Sequence, residues 1–364
     1  MSACEACLAR SALLDALSGE IEILRRERRY VRDVLALPDD ELRAAIGARG
    51  LAAAPRTAGE LRRDAAARGL DLLCRHDLDY PRRLSTDRAA PAVLYAAGDA
   101  GRRRQLLDPG VPAVAIVGAR NASADGLELT RQIARGLSAA GVTVVSGMAL
   151  GIDGAAHDGA LAAGARTVAI LAGGAETAYP RRRQSTHVEL VQRAAVLSET
   201  PPGGRSLAWR FLARNRIIAA LGDVTVVVEA AARSGSLVTA ELALELGRDV
   251  GAVPGSPLGS RSAGTNALLR DGAALIRSAE DVLDLLAAVD GRLTLDRALS
   301  TARGHREAVD PAAAALLADV EAGIGRIDEL AVRHGGIAAA QALTTELELC
   351  GLLRRIDGGR LAPT

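Results

Sequence analysis

The sequence has 364 residues, 49% of them hydrophobic and 24% charged, which is typical of a globular protein with two or three domains. The formal net charge of +1 does not by itself indicate a polyanionic partner, and no apolar run reaches the ~20 residues that span a bilayer. Lysine is absent, which excludes a Gly-Lys-Ser/Thr nucleotide loop, and all 45 basic residues are arginine, whose planar guanidinium suits phosphate binding and stacking. The N-terminus lacks the features of a signal peptide, so we expect a cytoplasmic protein with reduced thiols.

The cysteines lie at positions 4, 7, 74 and 350, a scatter that does not indicate a disulfide framework. Cys4 and Cys7 have the spacing of half a zinc knuckle, but no second C-x-x-C or histidine pair follows. We therefore expect neither a metal site nor a cofactor.

Residues 1 to about 75 are predicted to be helical. The stretch LPDDELRAAIGARG has an acidic helix start and ends in glycine, and TAGELRRDAAARG opens with a threonine cap and also ends in glycine. A turn-rich segment follows, with one short strand predicted at AVLYAAG, residues 92–98.

Apolar runs alternate with helical segments from about residue 112 to 290. The runs are AVAIVG, VTVVSG, TVAILAGG, AVLSE, VTVVVEA, DVGAVPG and AALI. This pattern predicts a doubly wound α/β fold with a mostly parallel sheet that is buried on both faces. Ligands are then expected at the carboxyl ends of the strands, near the point where the strand order reverses.

The C-terminal part is predicted to be a separate unit. Residues 291–308 are polar and arginine-rich, typical of a linker. Residues 309–364 contain three helical stretches and a predicted hairpin around Asp357-Gly358-Gly359, which favours a winged helix-turn-helix.

The turn AIVGARNASADG, residues 115–126, has the strand-turn-helix pattern of a nucleotide-binding fold without its G-x-G-x-x-G sequence. The missing glycines disfavour a pyrophosphate close to the backbone. Arg120 in the turn favours a phosphodiester that a guanidinium holds from the side.

The only tryptophan and the only phenylalanine, Trp209 and Phe211, are two residues apart and are interleaved with polar residues that suit nucleic acid. Those residues are Arg210, Arg214, Asn215 and Arg216. Aromatic faces with arginines bind single-stranded nucleic acid, because bases stack on the rings and guanidiniums take the backbone. An amphipathic helix with core aromatics explains this segment equally well.

Two further helix starts follow strands and offer backbone N–H groups to anions. They are Ser234-Gly235-Ser236, shortly after Glu229, and Gly264-Thr265-Asn266.

Two other segments, each of which follows a predicted strand, allow both a functional and a structural interpretation. Ser146, Asp153 and His157 have the residue types of a hydrolytic set, but the serine lacks a G-x-S-x-G elbow, which favours a capping aspartate and a hydrogen-bonded histidine. The run Arg181–Arg183 is either a cationic rim beside a phosphate site or a solvated turn.

Taken together, SGMALGIDGAAHDGAL, LAGGAETAYP, LSETPPG, FLARNRIIAALGDVTVVVEAAARSGSLVTAELALELGRDVGAVPG and GTNALLRDGA resemble the DprA/Smf family of DNA-processing proteins, in order and spacing. The resemblance extends from about Tyr80 to about Leu286. It implies an extended Rossmann-like domain that binds single-stranded DNA without sequence preference. It also implies that the protein forms a homodimer through this domain and loads RecA recombinase onto DNA, in natural transformation and recombination, without catalysis or a cofactor.

The resemblance also implies a domain plan and a set of contacts. The plan is an N-terminal helical domain over 1–90, similar to sterile-alpha-motif or helix-hairpin-helix domains, a DNA-binding domain over 91–290, the linker over 291–308 and a winged helix over 309–364. The Gly118-Ala119-Arg120 turn would hold phosphate, while Asp125 and Leu212 stand where the family commonly has tyrosine and proline. The predicted single-stranded DNA contacts are Gly118, Ala119, Arg120, Ser146, Gly147, Arg181, Trp209, Arg210, Phe211, Arg214, Asn215, Arg216, Ser234, Gly235, Ser236, Thr239, Gly264, Thr265 and Asn266.

Two other functions remain as alternatives. A nucleoside-monophosphate phosphoribohydrolase would use Glu199 or Glu229 as its acidic residue, but VPGSPLGSRSAGTN does not have the P-G-G-x-G-T spacing expected of that family. A transcription factor would use the C-terminal unit, but its candidate recognition helix, AAAQALTTELELCG, is poor in base-reading side chains.

Overall fold

The computed structural model describes residues 3–26, 31–46, 54–85, 87–289, 310–349, 352–356 and 360–363. The chain divides into two compact units, Met1–Ala287 and Ala288–Thr364. Among the described residues, no helix has both the length and the apolar character needed to cross a membrane. The predicted linker over 291–308 lies outside the described residues.

A sheet of nine strands organises the described part of the first unit. The strands are β1 (Asp71–Cys74), β2 (Val93–Ala97), β3 (Ala113–Val117), β4 (Thr143–Ser146), β5 (Thr167–Leu171), β6 (Ala195–Ser198), β7 (Val224–Val227), β8 (Asp249–Ala252) and β9 (Ala274–Leu275). Their order across the sheet is β1-β2-β6-β5-β4-β3-β7-β8-β9. The neighbours from β6 to β9 are parallel, whereas β2 is antiparallel to both β1 and β6.

This topology confirms the predicted mostly parallel, Rossmann-like α/β sheet. Successive strands run in one direction from β3 to β6, and the chain then returns to place β7 on the other side of β3. The strand order therefore reverses between β3 and β7, where a crevice opens at the carboxyl ends of the strands.

The central strands β3 to β7 are buried along their whole length because helices cover both faces of the sheet. Every residue of β5 is buried, and alternate residues enter different cores: Val168 and Ile170 join one apolar cluster, while Ala169 and Leu171 join another. The covering helices of the first unit, after the N-terminal segment, are α6 (Ala100–Leu106), α7 (Ala124–Ala139), α8 (Ile152–Leu161), α9 (Gln184–Arg193), α10 (Ala208–Leu221), α11 (Gly235–Glu245), α12 (Ala263–Arg270) and α13 (279–289).

The N-terminal helices belong to the same compact unit as the sheet. They are α1 (Glu5–Ala16), α2 (Ser18–Arg26), α3 (Val31–Ala36), α4 (Asp39–Ile46) and α5 (Ala58–Ala67). Strand β1, inside the segment predicted to be helical, differs from that prediction: its four residues are too few to show a period, and pairing with β2 makes them a strand. The structure shows no division into compact units at residue 90, and the separate N-terminal domain stays a prediction.

The second unit contains three helices and a hairpin among its described residues. They are α14 (Pro311–Glu321), α15 (Ile327–Arg333), α16 (Ile337–Leu349), β10 (Leu353–Ile356) and β11 (Arg360–Pro363), with the two strands antiparallel. Leu316, Leu330 and Leu347, one from each helix, are fully buried in a common apolar cluster. The predicted elements are confirmed, while the predicted turn at Asp357-Gly358-Gly359 lies outside the described residues.

Helix α5 begins with the predicted threonine cap. The Thr57 hydroxyl accepts from the Glu60 N–H at 3.2 Å, and the Glu60 carboxylate accepts from the Thr57 N–H at 2.7 Å. This capping box satisfies two backbone donors that the first helical turn leaves unpaired.

Replacing Thr57 tests how much this cap stabilises the first unit. Thr57→Ala should lower the free energy of unfolding by about 1 kcal/mol, because the acceptor is lost, whereas Thr57→Ser keeps the hydroxyl and should remain near wild type. Urea titrations followed by the fluorescence of Trp209 measure both values. Equal losses in the two variants would contradict the hydrogen-bond explanation.

Candidate nucleic-acid interface

A cavity of about 270 Å³ lies at the carboxyl ends of the strands, at the reversal of strand order. A smaller cavity of about 100 Å³ shares Arg120, Ala149 and Phe211 with it, and we call the two together the cleft. The larger cavity is lined by Val117, Gly118, Arg120, Ala149, Asp153, Phe211, Leu212, Arg214, Asn215, Ser234, Gly235, Ser236 and Thr239. The residues that only the smaller cavity adds are Gly147, Leu150, Leu171, Ala172, Tyr179 and Pro180.

The turn after β3 is fixed by its backbone. The Ala119 N–H donates to the Glu229 carbonyl at 2.7 Å, and the Ala119 carbonyl accepts from the Ile152 N–H at 3.2 Å. Gly151 has a φ of +79°, and a Cβ there would lie 2.2 Å from the Ala119 carbonyl oxygen, so only glycine fits. The position of Arg120 is therefore set by main-chain contacts of its neighbour Ala119 to the segment after β7 and to the start of α8.

Arg120 and two aromatic rings form a stack at the mouth of the cleft. The Arg120 guanidinium carbon lies 4.9 Å from the centroid of the Phe211 ring. The ring of Tyr179 is tilted by 54° to that of Phe211, with 5.5 Å between centroids, and Tyr179 is 48% exposed. The stack thus offers a cation and accessible ring surface side by side.

Arg214 forms part of the wall of the cleft and is buried. Its Nη1 donates to the Ile170 carbonyl at 3.2 Å and lies 3.6 Å from the Asp153 carboxylate. A Cβ at position 147 would fall 1.1 Å from that Nη1, so Gly147 makes room for the guanidinium. Burial raises the pKa of Asp153 and lowers the pKa of Arg214, and in each case the neighbouring opposite charge opposes the shift.

Helix α11 directs its first turn to the cleft. Ser234 caps the helix, with its hydroxyl accepting from the Ser236 N–H at 3.3 Å, and the Asn215 amide donates to the Gly235 carbonyl at 3.3 Å. The first N–H groups of a helix lack partners within the helix and carry its positive dipole end, so this wall can bind an anion.

The suspected hydrolytic set is structural. The Ser146 hydroxyl donates to the Ile116 carbonyl at 2.7 Å, away from any relay. The Thr167 hydroxyl donates its proton to the Val144 carbonyl. His157 Nδ1 lies 2.8 Å from the same hydroxyl oxygen, so Nδ1 is protonated and donates to Thr167. Burial lowers the pKa of His157 to about 3, so the imidazole is neutral.

Three predicted contacts on α10 are turned away from the cleft. Trp209 is 3% exposed and lies in an apolar cluster with Leu13 and Leu17 of the N-terminal segment. Arg210 is buried and pairs with Asp15 at 2.5 Å.

Arg216 is likewise buried and pairs with Glu199 at 2.5 Å. The prediction that Trp209, Arg210 and Arg216 contact DNA is therefore corrected for this structure: their surfaces are covered by protein, as expected for core positions of an amphipathic helix.

The remaining predicted residues fall outside the lining of the cleft. Arg181 is exposed on a short 3-10 turn, and Ala119 and Ser146 act through the contacts described above. Gly264 and Thr265 are buried in the start of α12, and the Asn266 side chain exchanges two hydrogen bonds with the backbone of Gly255. These three residues shape the loop after β8.

Sequence reasoning missed Tyr179 as a residue of the site. Tyr179 belongs to LAGGAETAYP, one of the segments that resemble the family. The chain has only four tyrosines, so an aromatic residue in that segment was the signal that could have identified it. Asp125 is exposed in the first turn of α7 and does not line the cleft.

Comparison with known proteins identifies a matching family and several similar proteins. Residues 71–287 match the family model described as DNA recombination-mediator protein A. DNA processing protein DprA of Streptococcus pneumoniae is 42% identical over 204 residues, which is 56% of this chain and 70% of that protein.

Two solved structures are also similar. The X-ray structure of DNA processing protein A from Streptococcus pneumoniae has a TM-score of 0.61 at 31% identity, covering 78% of this chain and 98% of that one. A structure of DNA processing protein A from Helicobacter pylori, which addresses the single-stranded DNA binding mode of that protein, has a TM-score of 0.54 at 29% identity, covering 61% of this chain and 98% of that one.

The fold and the cleft define a Rossmann-like α/β protein whose switch-point crevice carries arginines, aromatic rings and a helix N-terminus. Together with the matches, they show that the chain belongs to the DNA recombination-mediator protein A family, also known as the DprA/Smf family.

The buried His157 predicts acid lability of the first unit. Its folded-state pKa of about 3 lies below the ordinary value of 6.5, so the unfolded chain binds a proton that the folded chain does not. The free energy of unfolding should therefore fall as the pH drops below 6.5, by about 2 kcal/mol between pH ~7.5 and pH ~5.

Urea titrations at both pH values, followed by Trp209 fluorescence, measure this loss. His157→Gln should flatten the dependence, and His334→Gln in the second unit is the matched control. An unchanged pH slope in His157→Gln would contradict the assignment.

Proposed function

We propose that this protein binds single-stranded DNA in the cleft without sequence preference. The observation that carries the proposal is the stack of Arg120, Phe211 and Tyr179 beside the N-terminus of α11. Bases stack on the two rings, while Arg120 and the first turn of α11 hold phosphates. Arg214 adds positive charge from the wall, offset in part by Asp153.

The groups of the cleft suit features that all nucleotides share. Ring faces, a guanidinium and backbone N–H groups recognise base planes and phosphates, which carry no sequence information. The similar Helicobacter pylori protein, whose structure addresses single-stranded DNA binding, supports this assignment.

Family membership supports a wider role in recombination. We propose that the protein protects single-stranded DNA and loads RecA recombinase onto it, in DNA uptake by natural transformation and in homologous recombination. It would act in the cytoplasm as a homodimer formed through the Rossmann-like domain. The second unit, with three helices and a hairpin, would be a winged helix that serves as a contact module.

A hydrolytic function has less support. The two acidic residues that a phosphoribohydrolase would use are engaged in structural contacts: Glu199 pairs with the buried Arg216, and Glu229 accepts from the backbone and hydroxyl of Ser123. We therefore propose a binding protein rather than an enzyme. Release of free base from AMP by the purified protein would overturn this choice.

Binding of oligo-dT at several salt concentrations tests the DNA proposal. Wild-type affinity should fall steeply with salt, because phosphate contacts release counterions. Arg120→Ala should weaken binding by about 1–3 kcal/mol and reduce the salt slope by about one, since an exposed phosphate contact is lost. Arg120 is a cleaner target than Arg214, whose removal would leave Asp153 buried without its partner.

Matched variants separate charge from stacking in this experiment. Arg131→Ala removes another exposed arginine, one paired with Glu128 on α7, and should bind like wild type. Phe211→Leu keeps apolar volume but removes the ring, so it should weaken binding with the salt slope unchanged. If Arg120→Ala and Phe211→Leu both bind normally, the cleft is not the DNA site.

RecA loading needs its own assay. On oligonucleotides coated with a single-strand-binding protein, wild type should shorten the lag of RecA filament formation, Arg131→Ala should do the same, and Arg120→Ala should not. If the lag is unchanged although wild type binds the DNA, the loading role fails and the DNA-binding role stands.

A further inference from the structure

Four side chains with metal-binding atoms meet outside the cleft, where the start of α1 meets the end of β1 and the turn that follows it. They are Cys4, Cys7, Cys74 and His76, and their ligand atoms all lie within 4.8 Å of one another. The Nδ1 of His76 is 3.4 Å from the Sγ of Cys4 and 3.4 Å from the Sγ of Cys7. Cys4 and His76 are 72 residues apart in sequence, so the tertiary fold assembles this cluster.

The spacing of these atoms suits a tetrahedral zinc ion. Zinc bonds of about 2.3 Å to sulfur and about 2.1 Å to nitrogen place neighbouring ligand atoms about 3.5–3.8 Å apart. The two sulfur–nitrogen distances of 3.4 Å are already close to this separation. The other pairs of ligand atoms are at most 4.8 Å apart, so they need to approach by no more than about 1 Å to bind the ion. Three thiolates and one imidazole form one of the common ligand sets of structural zinc.

The backbone holds the four ligands in place. Cys4 is the residue that precedes the first turn of α1, and Cys7 lies one helical turn further on. Cys74 ends β1, and Asp77 closes the turn after it: the Asp77 carboxylate accepts from the Cys74 N–H at 2.7 Å, and the Asp77 N–H donates to the Cys74 carbonyl at 2.8 Å. This tight turn presents His76 to the two helix cysteines.

Two of the four ligands are buried and two are more accessible to solvent. Cys7 and Cys74 are buried in an apolar cluster with Leu8, while Cys4 is half-buried and His76 is exposed. The inner ligands are shielded from competing solvent, and the outer ones leave a path by which an ion enters. All four positions of a tetrahedron are taken by protein, which distinguishes a structural site from a catalytic one.

We propose that Cys4, Cys7, Cys74 and His76 bind one zinc ion that clamps α1 to the edge of the sheet. Sequence analysis found only half of this site, because the second pair is a C-x-H at the end of a strand rather than a second C-x-x-C. A disulfide explains the cluster less well, since three sulfurs cannot all pair and the histidine would have no role.

The zinc clamp would stabilise the N-terminal helices against which α10 packs. Helix α1 carries Asp15, which pairs with Arg210, and Leu13, which packs in the cluster that contains Trp209. Removal of the ion should therefore loosen the N-terminal helices and change the fluorescence of Trp209, the only tryptophan in the chain.

Metal analysis of the full-length protein, purified without a polyhistidine tag, tests the proposal. We expect one zinc per chain, released when a mercurial blocks the thiols and detected with a metallochromic dye. Replacement by Co²⁺ should give thiolate charge-transfer bands and the strong visible bands of tetrahedral coordination. Protein that is folded by Trp209 fluorescence but contains no metal, contains iron or copper instead of zinc, or contains a disulfide among these cysteines would overturn the proposal.

Variants at the two more accessible ligands locate the site while disturbing the core least. Cys4→Ser and His76→Ala should each lose the bound zinc, and His76→Cys, which restores a fourth ligand, should retain it. Cys350→Ser is the matched control and should keep full zinc content. If zinc is retained by both Cys4→Ser and His76→Ala, or lost from Cys350→Ser, the assignment of these four ligands is wrong.

Discussion

The packing of α10 on two partners at once is the constraint on which the candidate site depends. Ten of its 14 residues are buried, because Ile217 and Ile218 enter the core beneath the sheet while Trp209 enters the cluster of N-terminal helices. A helix held on both sides has little freedom to rotate. Phe211 and Asn215 are therefore presented to the cleft by packing that lies elsewhere in the molecule.

Buried arginines fix this helix in position. Arg210, Arg214 and Arg216 pair with carboxylates from three different elements: Asp15 on α1, Asp153 on α8 and Glu199 after β6. A guanidinium suits such positions because its five donors can satisfy a carboxylate and a carbonyl together, as Arg210 does with Asp15 and the Arg205 carbonyl. Removing one partner would leave an uncompensated buried charge, so each pair locks the position of its helix more than it adds net stability.

The proposed zinc clamp and the proposed DNA cleft are linked through the N-terminal helices. The cluster of Cys4, Cys7, Cys74 and His76 joins the start of α1 to β1, and the other end of the same helix holds Arg210 through Asp15. With the proposed ion bound, this short helix would connect the edge of the sheet to α10. Helix α1 would therefore support the proposed DNA-binding surface, although no described residue of the N-terminal segment lines the cleft.

Sequence alone determined the parts of this protein that depend on neighbouring residues. The apolar runs predicted β3 to β9, and the cap at Thr57 predicted the start of α5. The turn at Gly118-Ala119-Arg120 placed an arginine at the cleft. These features could be predicted because alternation, capping and turn formation act within a few residues. Tertiary structure alone decided which side chains on α10 are accessible, because the helices that cover Trp209 and Arg210 are about 190 residues away in sequence. It also decided that Cys74 and His76 complete the cysteine pair, because convergence of distant ligands is set by strand pairing and helix packing, which no local pattern records.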